Sequence, residues 1–235
     1  MSTLQTRQMI AEASGCCSYL VGSGREAILV DPLNDVDRFT KSAVDGKIVG
    51  VIDTHVHADH LSGSREIQKL ARCPIYMYET SPIKFSFVPL AEKEYHLAGV
   101  KIRVIHTPGH APEHVSLLVE DKAVLTGDTL LVRDVGRVDL GRGDSNQLYD
   151  SLFGKLLKLP DQVEVLPGHV GKAHFVSGDN SSTIGVERRM NPALQAKTRE
   201  DFLQYMSEGW PPKPAHYEQY IKVNCGLMDL REAQF

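Results

Sequence analysis

The stretch of sequence that decides the fold is Thr54-His55-Val56-His57-Ala58-Asp59-His60. Three imidazoles and one carboxylate stand within six residues, from His55 to His60. Histidine and carboxylate side chains are the usual ligands of borderline and hard divalent metal ions. A hydrophobic core gains nothing from three neighbouring imidazoles, so the density of this cluster predicts a metal site.

The histidine-rich run begins where a predicted strand ends. Lys47–Ile52 is short, apolar and rich in β-branched residues, which is typical of a buried strand. In an extended segment, residues two positions apart point the same way, so His55 and His57 can converge on one point. Asp59 and His60 follow where the chain turns, and can approach that point from another side.

Three later segments have the same form, an apolar strand that ends in a potential ligand. Val100–Ile105 leads into Pro108-Gly109-His110, Ala123–Thr126 into Gly127-Asp128, and Val163–Leu166 into Pro167-Gly168-His169. A glycine before each ligand lets the backbone approach a metal ion without a Cβ clash. A rigid sheet can hold such loops in place, so we expect the ligands to cluster along one edge.

The composition is that of an ordinary globular protein. The chain has 235 residues, 42% hydrophobic and 24% charged, with a formal net charge of −4. These values argue against disorder and against a basic surface for nucleic acid. No stretch approaches the roughly 18 apolar residues of a membrane span, and the N-terminus lacks a secretion signal. The four cysteines do not form a disulfide pattern, so we expect a cytoplasmic protein.

Periodicity predicts strands and helices that alternate twice along the chain. The predicted strands are 17–21, 27–30, 48–52, 75–78, 100–105, 115–119, 123–125 and 163–166; the predicted helices are 36–44, 65–70, 147–159, 183–190, 199–206 and 217–223. Ser81–Pro89 is predicted to be irregular, either an active-site rim or a loop packed on the surface. This order predicts an α/β protein with two sheets packed face to face. We expect one domain over residues 1–235, with a short helical C-terminal extension at about 192–235.

The order of the ligand motifs resembles that of the metallo-β-lactamase fold superfamily. The chain has HxHxDH at His55–His60, Pro-Gly-His at His110, Gly-Asp at Asp128 and Gly-His at His169. The match runs from about residue 17 to 195 and fills all seven ligand positions. The resemblance implies an αββα four-layer sandwich, with two mixed β-sheets flanked by helices. It is specific for the fold, and only weakly so for the reaction.

Several stretches are most similar to the persulfide dioxygenases, including members fused to rhodanese domains. They are Thr107–Ser116, Thr126–Leu131, Asp134–Leu140 and Ser182–Pro192. The Gly-Arg-x-Asp element in the third stretch is the most discriminating, although the family usually has Pro or Thr where Val138 stands. The chain ends about 65 residues after the last motif histidine, so we expect a rhodanese only as a separate partner. A homodimer is also expected.

The resemblance implies one Fe(II) per chain, bound by His55, His110 and Asp128. Two imidazoles and one carboxylate on one face leave positions for a substrate sulfur and O₂. The reaction would oxidise a low-molecular-weight thiol persulfide, by default glutathione persulfide, to sulfite and the thiol. Four further side chains would orient the ligands through hydrogen bonds, namely His57, Asp59, His60 and His169.

A rival interpretation is a binuclear metallohydrolase similar to glyoxalase II. In this case His55, His57 and His110 hold one Zn(II), Asp59, His60 and His169 hold a second, and Asp128 bridges the pair. A bridging hydroxide would then cleave a thioester. The short tail and the Gly-Arg-x-Asp element favour the dioxygenase. A binding protein without turnover is disfavoured because no ligand position is lost.

The remaining candidates rest on weaker signals. Arg137 and Asp139 are expected near the substrate, either as an electrostatic pair or as a surface salt bridge. Cys225 lies in a tail region that some persulfide dioxygenases place near the substrate. Cys16 and Cys17 are predicted to be packed hydrophobes. Trp210–Pro214 is predicted to be a rigid connector that shapes a pocket wall or a dimer contact. His114 and His174 carry no ligand pattern and are expected near the ligands.

Overall fold

The first of two six-stranded sheets comes from the N-terminal part of the chain. The computed structural model describes residues 4–42, 46–140, 142–170, 178–233 and 235. The strands of the first sheet are β1 Leu4–Ile10, β2 Cys17–Ser23, β3 Glu26–Val30, β4 Lys47–Ile52, β5 Ile75–Tyr78 and β6 Val88–Leu90. They lie side by side in chain order. The first three are antiparallel, and β3 to β6 are parallel, so this sheet is mixed.

The second sheet is also mixed, and its order departs from the chain order. The remaining strands are β7 Glu94–Leu97, β8 Val100–His106, β9 Val115–Val119, β10 Ala123–Gly127, β11 Leu130–Leu131, β12 Asp134–Val135, β13 Glu164–Pro167 and β14 Ser182–Thr183. Their order in the sheet is β14-β13-β10-β9-β8-β7, with β11 and β12 as a separate hairpin. Only β10 and β13 are parallel, which brings their carboxyl ends to one edge.

Helices cover the outer faces of both sheets. They are α1 Val36–Ser42, α2 Ser64–Ala71, α3 Ser145–Tyr149, α4 Ile184–Met190, α5 Arg199–Met206 and α6 Tyr217–Asn224. Shorter helical turns cover Asp150–Lys155, Leu156–Lys158, Pro192–Gln195 and Leu230–Glu232. Among the described residues, no helix is long and apolar enough to cross a membrane.

Three hydrophobic clusters stack the layers. The central cluster joins the facing sides of the sheets, with Tyr19, Val30 and Ile52 from one and Ile102, Leu117 and Leu125 from the other. On the outer face of the first sheet, Leu29 packs with Phe39 of α1 and Ile67 of α2. On the outer face of the second, Val124 packs with Leu152 and Phe202. The order helix, sheet, sheet, helix confirms the predicted four-layer α/β fold.

Two differences from the predicted elements have physical reasons. The continuous helix predicted over 147–159 is wrong: α3 is followed by a π-helical turn over Asp150–Lys155 and a 3₁₀ turn over Leu156–Lys158. The leucines at 148, 152 and 156 are nevertheless all fully buried, so burial follows the leucine spacing while the backbone hydrogen bonds change. β1 was not predicted because its apolar residues are interrupted by polar ones; it forms by pairing along the whole of β2.

Other boundaries agree closely. The helix predicted over 36–44 is described to Ser42, and its last two predicted residues lie outside the described ranges. The prediction that Ser81–Pro89 is irregular is wrong at its end, because Val88 and Pro89 pair with β5 as part of β6. Before them, Ile83 packs in a small apolar cluster with Cys225, so the rest of the segment is a packed loop. The assignment of one domain with a C-terminal extension stays a prediction.

Phe202 tests the outer hydrophobic cluster. Its ring is fully buried and meets the rings of Tyr149 and Phe153 at centroid distances of 5.6 and 5.8 Å. We expect Phe202→Ala to lower the free energy of unfolding by about 3–5 kcal/mol, because it leaves a cavity that helices cannot fill. Denaturant unfolding measures this loss. Tyr205→Ala, on the exposed side of the same helix, is the control, and an equal loss in both variants would contradict the packing described.

Candidate metal centre

Two imidazoles and one carboxylate meet where the sheets end. His55 follows β4, His110 lies between β8 and β9, and Asp128 follows β10. One ligand atom from each lies within 4.8 Å of the other two. Nε2 of His55 is 3.9 Å from Oδ2 of Asp128, and Nε2 of His110 is 3.8 Å from the same oxygen. The structure therefore brings together the three residues predicted to bind the metal.

The tautomers of the two histidines leave Nε2 available to a metal ion. Nδ1 of His110 donates to the backbone carbonyl of Arg137 at 2.7 Å. Nδ1 of His55 is 2.9 Å from the hydroxyl oxygen of Thr54. Nε2 of His55 is buried and has no hydrogen-bond partner among the described residues. A buried nitrogen without a partner is costly, and a metal ion among these atoms would supply one.

His114 fixes the backbone of the carboxylate ligand. Its Nε2 accepts a hydrogen bond from the backbone N–H of Asp128 at 3.0 Å, so Nδ1 carries the proton and faces the hydroxyls of Thr107 and Thr129, each at 3.0 Å. The ring stacks on His55 with centroids 4.9 Å apart. Burial, followed by the charge of nearby His110, lowers the pKa of His114 to about 3. His114 therefore lies next to two of the predicted ligands, because it accepts the backbone N–H of Asp128 and stacks on His55.

Two glycines allow the ligands this close approach. Gly127 has a φ of +46°, which favours glycine, and a Cβ there would lie 2.5 Å from Nε2 of His114. A Cβ at Gly168 would lie 2.6 Å from Oδ1 of Asp128. The sequence analysis noted a glycine before each of these ligands. At Gly127 and Gly168 the structure shows why: a Cβ would clash with His114 or with Asp128.

His169 bridges two carboxylates of the site, those of Asp128 and Asp59. Its Nδ1 is 2.8 Å from Oδ1 of Asp128, and its Nε2 is 2.8 Å from Oδ2 of Asp59. Burial would lower the pKa of His169, but the charges of both carboxylates and their hydrogen bonds raise it well above its usual value. In return, the pKa of Asp128 is lowered despite burial, because of His169 and His110. His60 Nδ1 also meets Oδ2 of Asp59, at 3.1 Å.

The ring of His57 is held by the carboxylate of Asp31, which the sequence analysis did not assign to the site. Its Nε2 is 3.2 Å from Oδ1 of Asp31, which also accepts from the backbone N–H of Thr54 at 2.7 Å. Asp31, Asp53 and His57 form a fully buried group. The available signal was the position of Asp31 at the end of β3, a strand parallel to β4 and therefore ending at the same edge.

Cys16 departs from its predicted role as a packed hydrophobe. It is buried, but its Sγ lies 3.1 Å from Oδ2 of Asp59 and 3.4 Å from Nε2 of His169. Burial raises the pKa of this thiol, and the hydrogen bonds to His169 and His60 outweigh that effect and lower it. Cys17 behaves as predicted, because it packs in the central cluster and burial raises its pKa to about 12.

A cavity of about 450 Å³ opens onto the ligands. Asp59, His110, Asp128 and His169 line its polar side. The opposite wall is apolar and is formed by Leu131, Val135, Leu140, Trp210, Pro211 and Pro214. The predicted connector over 210–214 is therefore a pocket wall.

Arg137 and Asp139 form a bidentate ion pair beside this cavity. Nε and Nη2 of Arg137 donate to the two carboxylate oxygens of Asp139 at 2.7 and 2.9 Å. The same guanidinium donates to the backbone carbonyls of Pro211 and Pro212. Arg137 lines the cavity, so it both closes the wall and supports His110 through its own carbonyl.

Two predicted candidates are not brought to the cavity. Cys225 is buried in an apolar cluster with Val56, Ile75 and Met77, and it is absent from the described lining of the cavity. Its substrate contact stays a prediction that no contact supports. His174 lies outside the described residues.

The neighbour of Cys225 clamps the histidine-rich loop. Nδ2 of Asn224 donates to the carbonyls of His57 and His60 at 2.9 and 2.8 Å, and Oδ1 accepts from the backbone N–H of Ser62 at 3.0 Å. Sequence reasoning missed this residue, because an asparagine at the end of a helix carries no ligand signal.

Comparisons with known proteins agree with this geometry. A profile of the metallo-beta-lactamase superfamily matches residues 12–86 and 78–169. Persulfide dioxygenase ETHE1, mitochondrial, of Mus musculus is 29% identical over 94% of this chain and 88% of its own length. The crystal structure of ETHE1 from Myxococcus xanthus superposes with a TM-score of 0.88 at 33% identity, over 95% of this chain and 99% of that one. A di-iron-bound form of TTHA1623 gives 0.67 at 25% identity, over 79% and 98%.

The chain belongs to the metallo-beta-lactamase superfamily, as its four-layer fold and the ligands at its sheet edge indicate. Within that superfamily it is similar to the ETHE1 persulfide dioxygenases over nearly its whole length. Fold and residue clusters together support a metal cofactor.

Asn224 provides a test of how the ligand loop is held. Asn224→Ala removes three hydrogen bonds to the loop backbone, each worth about 0.5–1.5 kcal/mol. We expect the variant to release bound metal to a chelator at least tenfold faster than the wild type. Lys222→Ala, an exposed change on the same helix, is the control. Equal metal release in both variants would show that the clamp has no effect on the site.

Proposed function

We propose that this protein is a persulfide dioxygenase that uses one Fe(II) ion per chain. It oxidises a low-molecular-weight thiol persulfide with O₂ and water to sulfite, the thiol and two protons. The observation that carries the proposal is the convergence of His55, His110 and Asp128 beside a cavity, in a chain similar to persulfide dioxygenases over 94% of its length.

The donor set suits this metal and this substrate. Two neutral imidazoles and one carboxylate form the ligand set typical of non-haem Fe(II) oxygenases. A bound ferrous ion would bring the persulfide sulfur and O₂ together and pass to O₂ the electrons that the terminal sulfur loses on its oxidation to sulfite. With Fe²⁺ and one carboxylate ligand the centre would carry a net charge of about +1, which a persulfide anion would neutralise.

The surrounding residues hold the ligands and shape the cavity. His114 and the carbonyl of Arg137 fix Asp128 and His110, while His169 and Asp59 face the polar side of the cavity. The apolar wall around Trp210 would pack against the carbon skeleton of a thiol carrier. Glutathione is the carrier that the family suggests, and we retain it as the first substrate to test.

A binuclear thioester hydrolase is the second candidate. The observation in its favour is that Nδ1 of His57 and Nε2 of His60 are also buried without a hydrogen-bond partner in the described part of the chain. The protein TTHA1623, which shares the fold, was crystallised in a di-iron-bound form. The comparisons favour the dioxygenase, because the persulfide dioxygenases of Mus musculus, Homo sapiens and Bos taurus are 28–29% identical over 94% of this chain.

The setting of the reaction is also part of the proposal. The four cysteines are buried and unpaired, which suits the reducing cytoplasm. A homodimer and a separate rhodanese that supplies persulfide remain predictions.

The activity is tested with protein loaded with iron under anaerobic conditions. We expect about one iron per chain, and O₂ uptake with glutathione persulfide that yields one sulfite for each O₂ consumed. An oxygen electrode and a sulfite assay measure both. Thioester hydrolysis with two zinc ions per chain and no O₂ uptake would reverse the order of the two candidates.

The ligand assignment is tested by metal content. His55→Ala, His110→Ala and Asp128→Ala should each lose nearly all bound iron, because a site with three protein ligands cannot spare one. His169→Ala should keep most of the iron, since this side chain reaches Asp128 only through a hydrogen bond. Iron per chain, measured by atomic emission, decides. Equal loss in His169→Ala would indicate a direct ligand and hence a binuclear centre.

A further inference from the structure

Two polar side chains outside the metal centre are fully buried next to each other. Glu187 lies in α4 and Asn191 directly follows that helix, and neither side chain is exposed. Nδ2 of Asn191 donates to Oε2 of Glu187 at 2.8 Å. Both belong to the stretch Ser182–Pro192, to which the proposed function assigns no role. Burying polar side chains is costly unless hydrogen bonds compensate, so their other partners show what they hold.

Both side chains bind the backbone of the hairpin that β11 and β12 form. Oε2 of Glu187 accepts from the backbone N–H of Arg133 at 2.8 Å. Nδ2 of Asn191 donates to the backbone carbonyls of Asp134 and Leu131 at 2.9 and 3.4 Å. Arg133 has a φ of +57°, in the left-handed region that residues with a Cβ rarely adopt. The hydrogen bond to Glu187 therefore fixes the hairpin at its least favourable turn residue.

The same hairpin forms part of the cavity wall. Leu131, Asp134 and Val135 line the cavity, and the leucine and the valine belong to its apolar wall. Glu187 and Asn191 are not among the described residues that line it. They can therefore act on a bound molecule only through the hairpin.

The two ends of the hairpin are fixed by other contacts. Before it, the backbone N–H of Asp128 donates to His114. After it, Arg137 is held by its ion pair with Asp139. Loss of the two buried side chains should therefore displace the wall and leave the predicted metal ligands in place.

We propose that Glu187 and Asn191 are positioning residues that set the shape of the cavity wall, and with it the fit of the thiol carrier. The proposal rests on the function proposed above, because the carrier is the part of a persulfide that would meet this wall. A wall that binds the carrier equally well before and during the reaction contributes to KM rather than to kcat. Its effect is therefore separable from that of the metal ligands, whose loss lowers the amount of bound metal.

Steady-state kinetics of the iron-loaded, full-length protein with glutathione persulfide test the proposal. We expect Glu187→Ala and Asn191→Ala to raise KM about fivefold or more, with kcat and iron per chain within about twofold of the wild type. Glu187→Gln keeps an oxygen that can accept from the N–H of Arg133, so its KM should stay near that of the wild type. Met190→Ala, an exposed change beside Asn191, is the matched control.

An unchanged KM in both alanine variants would overturn the proposal. So would a fall in kcat and in iron content without a change in KM, because it would place the effect on the metal ligands. Should neither alanine variant fold by circular dichroism, Leu131→Ala takes their place, since it removes a side chain that the hairpin presents to the cavity. A raised KM in Leu131→Ala supports the proposal, and an unchanged KM excludes it.

A measurement without substrate keeps this result separate from the reaction. Trp210 is the one tryptophan of the chain, lines the cavity and packs against the cluster that contains Val135. We expect quenching of its fluorescence by acrylamide to rise about twofold in Asn191→Ala, because a loosened wall exposes the ring more often, and to stay unchanged in Met190→Ala. If the wild type consumes no O₂, the quenching decides alone. A rise then keeps the positioning role while the proposed dioxygenase fails, and unchanged quenching overturns the positioning role.

Discussion

The position of the other side chains at this edge of the sheets depends on one buried group, the carboxylate of Asp128. A buried carboxylate is expensive unless its oxygens and its backbone are satisfied. Oδ2 faces His55 and His110, Oδ1 accepts from His169, and the backbone N–H donates to His114. The ends of β4, β8, β10 and β13 must therefore meet at one edge, because Asp128 and its partners lie on the loops that follow these four strands.

The side chains around the carboxylate of Asp128 also fall into two chemically different groups. On one side stand the imidazoles of His55 and His110, whose Nδ1 atoms meet a hydroxyl and a carbonyl. On the other side stand Asp59, His169 and the thiol of Cys16, where two carboxylates share one ring. The fold therefore places two chemically different groups of side chains next to each other, and His169 connects them.

The sequence predicted what depends on periodicity and strand ends, and missed what depends on distant contacts. The four ligand loops were located because each follows an apolar strand, and three of them contain a glycine before the ligand. The first strand escaped because pairing with β2 stabilises it rather than its own pattern. Asp31, Cys16 and Asn224 act through side chains that reach across the fold, and such reach is invisible in local spacing. The π-helical turn at Asp150–Lys155 was likewise hidden by leucines at ordinary helical spacing.

The asparagine clamp also bears on the order of events in folding. Asn224 bonds to the carbonyl of His57, 167 positions away along the chain. Contacts between such distant residues form late, since the entropy of closing a long loop must be overcome first. We therefore expect the histidine-rich loop to reach its final shape only after α6 has docked on it. Metal capture by this protein would then complete the native state, whereas in a zinc finger the ion nucleates it.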